Sequence, residues 1–496
     1  MMRDAADRLA RLRAALADAG LDGWYVGRED MFQGEEVPPS EERLAFVSGF
    51  SGSAGHAVIL QDAAALFSDG RYTLQMINQS DPDLWSTHTL PEARLSTWLQ
   101  EAGAQGKRIG VDPQLVTVAG FRRLEQACRD AGAELVPHAD NPLDAVWGTE
   151  RPQRGATQPF RMPDPVAGQS MADKLAALDK RLADAGADAV VISRVDAVNW
   201  LVNIRGNDLA NTPVNLIFAL YHRENGLLLL GDPASLAPVM EGDLVQQAAV
   251  VALDQFDALI HPRAGYDAGT AICFEPASLP QSMFAPLTES DARLVEADCA
   301  VTAMKAVKNS AELAGTRRAH VEDGAVMVRF LHWLSAGGAD GMTETAIAAH
   351  LLTLRQASPR FIASSFDAIC GRGQMVPSCI TGPLPGRIGR CSRIVCCWLI
   401  PVRITMTAQP TLPGQWPSAP PMPRCATPLP PSCVRILLWH GRGSRQGRPA
   451  SKSMRWPARQ CGQTGWIMRM APGTGSGMCC RSMKVRPAFQ NGAANR

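Results

Sequence analysis

The hydrophobic pattern of the chain opens with an amphipathic helix that leads into a strand. Apolar residues recur at helical spacing and stop at a glycine suited to a helix C-terminus: Leu9, Leu12, Leu16 and Gly20. The apolar run at 24–26 predicts a strand directly after this helix.

The same helix-and-strand unit occurs a second time. Residues 16–20 read LADAG, and the same five letters stand at 182–186, where an apolar strand at 189–192 again follows. Five common residues can coincide by chance, but the shared order of helix, glycine and strand favours duplication of an α/β domain. The Pro-rich stretch 152–165 is interpreted as the linker between the two copies.

A third region begins near Thr302 with signals for two helices. Asn309 and Glu312 form a capping box ahead of a long helix, Gly337–Gly338 ends it, and Thr343 begins a second helix. The apolar positions assigned to the two helices are Val321, Met327, Val328, Leu331 and Leu334 in the first and Ile347, Leu351 and Leu354 in the second.

The chain changes character abruptly after these two helices. A strand at 361–362 and a glycine turn at 371–373 open a further domain, but residues 374–496 do not continue it. This tail contains 17 prolines, which interrupt every helical or strand period. We therefore expect the tail to be disordered.

The charged residues divide at the same point. All 48 Asp and Glu lie in residues 1–373, whose net charge is −16, whereas 374–496 contain 15 Arg, 2 Lys and no acidic residue. The acidic balance of 1–373 argues against nucleic acid as a partner. The Arg-rich tail could contact phosphates, but it matches no nucleic-acid-binding module. A metal site built on carboxylates can be assembled only before position 374.

Cysteine usage and hydropathy predict a cytoplasmic protein. Four widely spaced cysteines precede the break, as is typical of buried thiols in a reducing compartment: Cys128, Cys273, Cys299 and Cys370. No apolar run approaches the length of a membrane span, so no membrane partner is expected. The amphipathic N-terminus is not that of a signal peptide.

Four segments carry a family resemblance: SGFSGSAG at 48–55, SDGRY at 68–72, WLVNIRGND at 200–208 and AVKNSAELAGTRRAHVEDG at 306–324. Each segment alone is a weak signal. In this order they resemble the cytosolic Xaa-Pro aminopeptidases, the aminopeptidase P branch of the pita-bread metallopeptidases with creatinase-like N-terminal domains. The set spans nearly all of residues 1–373.

The resemblance implies an α/β fold with two related N-terminal domains, followed by the truncated start of a pita-bread α+β catalytic domain. The resulting division is 1–151, 166–301, 302–373 and the tail 374–496. The family removes the N-terminal residue from peptides with proline at the second position. It uses two divalent metal ions, usually manganese, held by two Asp, one His and two Glu, and hard ions favour such carboxylate ligands.

The family places all of these ligands after the position that matches Gly373, where this chain has no Asp or Glu. No catalytic residue and no metal ligand can therefore be assigned, and no metal ion is expected to bind the chain as written. Arg71 is the one site residue that the resemblance implies, because the family contacts substrate with the Arg of its DGRY motif. From the residues alone, Asp69-Gly70 is equally typical of a plain turn.

The missing carboxylates reappear when the tail is read one base out of register. Joining the last base of each codon to the first two of the next, residues 399–414 can give DSGAHYYDGTTDITR, similar to the family segment with both metal-binding Asp. Residues 373–382 can give ANGAIVHYR and residues 467–486 YAHGTGHGVGHVLSVHEGP, similar to the family's His segments. Codon degeneracy leaves a choice of residue at each position. Three matches in the family's order and with one direction of shift nevertheless favour a net loss of one base, or a gain of two, near Gly373, either in the gene or as a sequencing error. The two Glu ligands would lie beyond position 496.

Other candidate ligands are interpreted as structural. His320 and His332 are expected to be surface or packed residues of the long helix, and Glu322–Asp323 a solvated helix face. Cys396–Cys397 and Cys479–Cys480 lack the spacing of zinc ligands.

Two hypotheses fit these observations. In the first, the gene is that of an Xaa-Pro aminopeptidase, and the product is inactive, with uncovered apolar faces on the third-region helices. In the second, the chain is a non-catalytic pseudoenzyme whose two N-terminal domains serve as a dimerisation or binding scaffold. A homodimer is possible under either hypothesis.

Overall fold

The N-terminal part of the chain is an α/β domain built on one six-stranded sheet. The computed structural model describes residues 2–155, 158–260, 269–368 and 370, and the backbone of 403–405. The strands are β1 (Gly23–Gly27), β2 (His56–Leu60), β3 (Ala64–Asp69), β4 (Ser86–Leu90), β5 (Arg108–Val111) and β6 (Glu134–Pro137). The helices are α1 (Met2–Asp18), α2 (Arg43–Ser48), α3 (Thr73–Gln79), α4 (Leu95–Glu101), α5 (Val118–Asp130) and α6 (Pro142–Trp147), with 3₁₀ turns at Pro39–Glu41 and Gly148–Glu150.

A second α/β domain follows, with its own six-stranded sheet. The strands after β6 are β7 (Phe160–Arg161), β8 (Ala189–Ile192), β9 (Ile204–Arg205), β10 (Phe218–His222), β11 (Gly226–Leu230), β12 (Ala248–Val251), β13 (Ala271–Phe274) and β14 (Arg293–Glu296). The helices are α7 (Asp164–Ala167), α8 (Met171–Asp184), α9 (Val195–Leu201), α10 (Pro233–Leu236), α11 (Gly242–Gln247), α12 (Phe256–Ile260), α13 (Gln281–Glu289) and α14 (Ala300–Ala306), with 3₁₀ turns at Ala237–Val239 and Leu253–Gln255.

The two sheets have the same topology. The strand orders are β4-β3-β2-β1-β5-β6 and β12-β11-β10-β8-β13-β14. In the first sheet β1 pairs antiparallel with β2, and β2 pairs antiparallel with β3. In the second sheet β8 pairs antiparallel with β10, and β10 pairs antiparallel with β11. All remaining neighbours are parallel. The predicted duplication of an α/β domain is confirmed.

The local pattern that predicted the duplication is also present. The three leucines of α1 are almost completely buried, as are Met171, Leu178 and Leu182 on α8. Gly20 and Gly186 both follow their helix with positive φ, +65° and +62°. Glycine adopts this left-handed conformation without the steric cost that a side chain brings.

Replacing Gly186 by Ala is expected to destabilise the protein by about 1 kcal/mol. A Cβ there would meet no other atom within 4 Å, so the cost comes from the backbone conformation alone. Gly324→Ala is the matched control: it lies inside a helix with equally open space, and should stabilise by up to about 1 kcal/mol. Denaturant unfolding measures both, and equal effects of the two substitutions would contradict the explanation.

The Pro-rich stretch between the domains is more structured than a plain linker. Its strand β7 pairs antiparallel with β9, so that Phe160 lies opposite Arg205. The short helix α7 follows and ends at Gly168, whose φ is +75°. The linker is therefore attached to the second domain before α8 begins.

The two domains pack directly on each other. Phe32 of the first domain lies against Phe218 of the second, with ring centroids 4.9 Å apart. The Val118 N–H, at the start of α5, donates to the Leu279 carbonyl at 2.9 Å. Phe32 and Val118 belong to the same buried apolar cluster as the inner face of the second sheet. This shared core fixes the relative position of the domains.

The third region contains two packed helices, α15 (Ser310–Ser335) and α16 (Glu344–Gln356), and a strand β15 (Phe361–Ser364). The predicted capping box is confirmed: the Asn309 side chain accepts from the Glu312 N–H, and the Glu312 carboxylate accepts from the Asn309 N–H. The Thr343 cap of α16 is also confirmed. Strand β16 (Arg403–Thr405) pairs antiparallel with β15, so the disorder predicted for the tail is wrong for these three residues, whose backbone is hydrogen-bonded in a sheet. The turn predicted at 371–373 and the disorder predicted for the rest of 374–496 lie outside the described residues.

Two of the apolar positions assigned to α15 are wrong. Val321 and Val328 are 75% and 67% exposed. The buried face instead carries Ala319, Asp323, Val326, Phe330 and Leu334. Val321 and Val328 are seven residues apart and share the opposite face, because each residue of an α-helix turns the side chain by about 100°.

The assignment of Glu322–Asp323 to a solvated face is half wrong. Asp323 is 8% exposed and forms a two-point ion pair with Arg355 of α16, with Oδ1–Nε and Oδ2–Nη2 distances of 3.0 and 3.2 Å. Glu322 pairs with Arg360 at the surface. The apolar assignments on α16 hold, since Ile347 and Leu351 are fully buried.

In the described part of the chain the four cysteines before the break form no disulfide, and all four are buried, as predicted. None of the helices in the described ranges is long and apolar enough to cross a membrane.

Candidate functional site

The first two sequence motifs meet at one end of the β2–β3 hairpin. The segment 48–55 leads into β2, and the segment 68–72 begins in the last two residues of β3. Because β2 and β3 are antiparallel, the start of one lies beside the end of the other. The Ser68 hydroxyl donates to the Ala54 carbonyl and joins the two segments.

Arg71 is held by Asp69 in a side-on ion pair. Its Nε and Nη2 donate to Oδ1 and Oδ2 at 2.9 and 2.8 Å, and its backbone N–H donates to Oδ1 at 2.9 Å. Both side chains are about one-third exposed. The turn that Asp69-Gly70 predicted is present, since the Tyr72 N–H donates to the Asp69 carbonyl. The same short motif therefore forms the turn at Asp69-Gly70 and holds the guanidinium of Arg71 at the surface.

The aromatic ring of Tyr72 packs against the guanidinium of Arg71. The guanidinium carbon lies 5.0 Å from the centroid of the Tyr72 ring. The Tyr72 hydroxyl hydrogen-bonds to Ser53 Oγ at 2.6 Å, and its ring packs edge-on against Phe50. Because Tyr72 is buried, the ring that contacts Arg71 is held in place by the surrounding core. The resemblance identified Arg71, but only the structure identifies Ser53 as part of its support.

Glycine is required in this loop. A Cβ on Gly52 would lie 2.2 Å from the Phe50 ring, and one on Gly55, where φ is +152°, would lie 2.7 Å from the Phe67 carbonyl oxygen. The Arg28 Nε donates to the Gly52 carbonyl at 3.1 Å. The loop is therefore closely packed around the aromatic pair that supports Arg71.

The electrostatics keep Arg71 and Asp69 charged. Burial raises the pKa of Asp69, but the side chain and backbone N–H of Arg71 lower it more in sum, so the net pKa lies below its ordinary value. The hydrogen bond to Asp69 raises the pKa of Arg71. Because Nε and one N–H of Nη2 donate to Asp69, Nη1 and the second N–H of Nη2 can donate to an oxygen of a bound molecule.

The other two motifs meet at a second, buried position. The Trp200 indole N–H donates to Glu312 Oε1 at 2.9 Å and joins the segment 200–208 to the capping box of α15. Lys174, which the sequence pattern did not single out, lies beside them with Nζ 4.1 Å from the Trp200 ring centroid. Its signal was its position: Lys174 shares the spacing of the apolar face of α8.

The described residues do not fit a two-metal centre. In the described part of the chain, no group of three or more His, Cys, Asp or Glu could hold a metal ion. His320 and His332 are on α15, and the His320 Nδ1 lies 2.8 Å from the Thr316 carbonyl, which agrees with the structural role assigned to them. Both cysteine pairs of the tail lie outside the described residues.

Comparison with known proteins identifies both α/β domains. Residues 8–145 match a family described as Creatinase/Prolidase N-terminal domain, and residues 150–312 match a second family model of the same description. Two curated relatives are named Probable Xaa-Pro aminopeptidase P: one from Aspergillus clavatus, 33% identical over 377 residues, and one from Coccidioides posadasii, 32% identical over 395 residues. They match 74% and 75% of this chain, which spans 57% and 62% of their own length.

A solved structure extends the similarity into the third region. It is the crystal structure of an X-prolyl aminopeptidase from Caenorhabditis elegans, described as a cytosolic enzyme with a di-nuclear active site. The similarity has a TM-score of 0.69 at 25% identity and covers 77% of this chain and 65% of that one.

Proposed function

This chain belongs to the creatinase/prolidase family of the Xaa-Pro aminopeptidases, and on that basis we propose that it is the substrate-presenting body of such an enzyme without its catalytic centre. The intact enzyme would hydrolyse peptides with proline at the second position. It would use two divalent metal ions, which we propose to be manganese. The chain as written would not catalyse this reaction.

One observation carries the proposal: the described residues before the tail form both α/β domains and the start of the third region, and the carboxylates of the chain end there. Both sheets, the shared core between the domains and the first two helices of the third region are present. From position 374 onward no Asp or Glu is available as a ligand. A two-metal hydrolase needs such ligands to hold its ions and activate a water, and a shift of reading frame near Gly373 would remove them all at once.

Arg71 is the proposed substrate contact. Its guanidinium packs on the buried Tyr72 ring at the end of the β2–β3 hairpin, and its Nη1 takes no part in the hydrogen bonds to Asp69. A charge-assisted hydrogen bond from this group to a carbonyl or carboxylate oxygen of the peptide would position the substrate. The proposed location of the protein is the cytoplasm, with homodimerisation as a further proposal.

The pseudoenzyme scaffold is the second candidate function. It is favoured by the large shared core of the two N-terminal domains, whose buried members in the described part of the chain lie between Phe32 and Leu287. Limited proteolysis of the purified protein separates the candidates. A protease-resistant tail would favour the scaffold, and rapid loss of the tail would favour the enzyme without its catalytic centre.

The direct test is a peptidase assay of the purified 496-residue chain. We expect no release of the N-terminal residue from an Xaa-Pro peptide, with or without added manganese, because no ligand set is encoded. The Caenorhabditis elegans relative serves as the positive control under the same conditions. Metal-dependent release by this chain, removed by a chelator and restored by manganese, would overturn the proposal.

A further inference from the structure

A buried chain of polar groups joins the second α/β domain to α15. Lys174 Nζ donates to the Trp200 carbonyl at 2.7 Å, and the Trp200 indole donates to Glu312 Oε1. The other Glu312 oxygen accepts from the Asn309 N–H at 2.9 Å. Lys174, Trp200 and Glu312 are each no more than 3% exposed. The start of α15 therefore depends on side chains of the second domain.

The linker helix α7 closes the same junction. The Asn309 Nδ2 donates to the Ala167 carbonyl at 2.7 Å. Gly168 comes so close that a Cβ there would lie 2.4 Å from Asn309 Oδ1. Backbone from the linker, side chains of α8 and α9, and the cap of α15 thus converge on one small polar cluster.

Lys174 has an unusual environment within this cluster. Both of its hydrogen-bond acceptors, the Trp200 carbonyl and Asn203 Oδ1, are uncharged. The pKa of Lys174 is lowered to about 7, mainly by burial and also by the positive charge of Arg205 on β9. The carboxylates of Glu312 on α15 and Asp164 on α7 oppose this shift. Lys308, just before α15, also faces Glu312.

We propose that this junction is a pH-sensitive latch, in which Lys174 controls how firmly the start of α15 is held against the second domain. Protonated Lys174 is a buried cation between neutral acceptors, which favours opening, because opening exposes the ammonium to water. Neutral Lys174 keeps its place in the cluster without that desolvation cost. The latch therefore loosens on acidification and tightens at alkaline pH.

The sign follows from proton binding. An opened Lys174 has the ordinary pKa of about 10.4, above that of the closed state. Between these values the open state binds one more proton than the closed state, so closure gains as pH rises. Below about pH 7 both states are protonated and the dependence levels off.

Hydrogen exchange of the segments 164–170 and 309–316, corrected for the intrinsic pH dependence of exchange, tests the latch in the full chain. Above about pH 7 the protection should increase by up to about tenfold per pH unit. Lys174→Met, of similar volume and apolar, should abolish this dependence. Lys180→Met, on the same helix, should behave as the unmodified chain. A Lys174→Met protein that keeps the original pH profile would overturn the proposal.

A second variant keeps the test decisive if Lys174→Met does not fold. Glu312→Gln removes the anion that favours protonated Lys174 but keeps an oxygen for the Trp200 indole. The onset of protection should move to lower pH, because the pKa of Lys174 falls when the carboxylate is lost. An unchanged onset in this variant would also overturn the latch.

Discussion

Inserting one base beside the codon of Gly373 is expected to give a metal-dependent Xaa-Pro aminopeptidase from a chain that we propose to be inactive. With allowed codons the shifted reading can give segments similar to those with the two metal-binding Asp and the ligand His of the family. The body needs no change, because its two domains and the helices α15 and α16 are already folded. Release of proline-containing product from an Xaa-Pro peptide, measured with and without manganese, checks the result.

The restored enzyme also tests Arg71. Replacing Arg71 by Ala removes a charge-assisted hydrogen bond worth about 1.5–3 kcal/mol, which corresponds to a loss of roughly ten- to 150-fold in kcat/KM. Arg129→Ala is the control, since Arg129 is exposed and pairs with neighbours on α5. A restored enzyme that is active but indifferent to Arg71→Ala would confirm the proposed function and refute the role of Arg71. An inactive restored chain would refute the frame explanation itself.

Replacing Arg355 by Met is expected to destabilise the third region by about 3 kcal/mol or more. The substitution leaves the Asp323 carboxylate buried without the guanidinium that it accepts from at two points. A buried charge without its partner costs far more than the pair gains. Thermal unfolding and hydrogen exchange across α15 and α16 measure the loss.

Two controls accompany this substitution. Arg360→Met breaks the neighbouring pair with Glu322, which is partly exposed, and should cost less than about 1 kcal/mol. Replacing Asp323 and Arg355 together by apolar residues should recover most of the loss, because no unpaired charge remains. Equal effects of Arg355→Met and Arg360→Met would show that burial of the Asp323 pair does not matter.

Local periodicity explains why the first two domains could be predicted from sequence. In α1 and α8 a single apolar stripe ends at a glycine, and a strand follows, so one interpretation fits the pattern. Capping boxes are equally local, since Asn309 and Glu312 satisfy each other's backbone within one turn. These features depend on neighbours in the chain and are visible without the fold.

Helix α15 shows where this reasoning stops. It has apolar residues on two faces, and its sequence does not say which face α16 will cover. Val321 and Val328 are on the outer face, whereas Asp323 is on the inner face because Arg355 approaches it there. The choice depends on a partner helix far along the chain, which no local pattern contains.

The sequence by itself determined the duplicated α/β domains, the position at which the carboxylates end, and the family motifs around Arg71 and Glu312. Only the tertiary structure decided that the segments 48–55 and 68–72 share one end of a hairpin, and that Lys174 is buried beside Trp200 and Glu312. The physical reason is the range of the interactions. Periodicity and caps act within a few residues, whereas burial, and the cost of a buried charge, depend on which distant segments pack together.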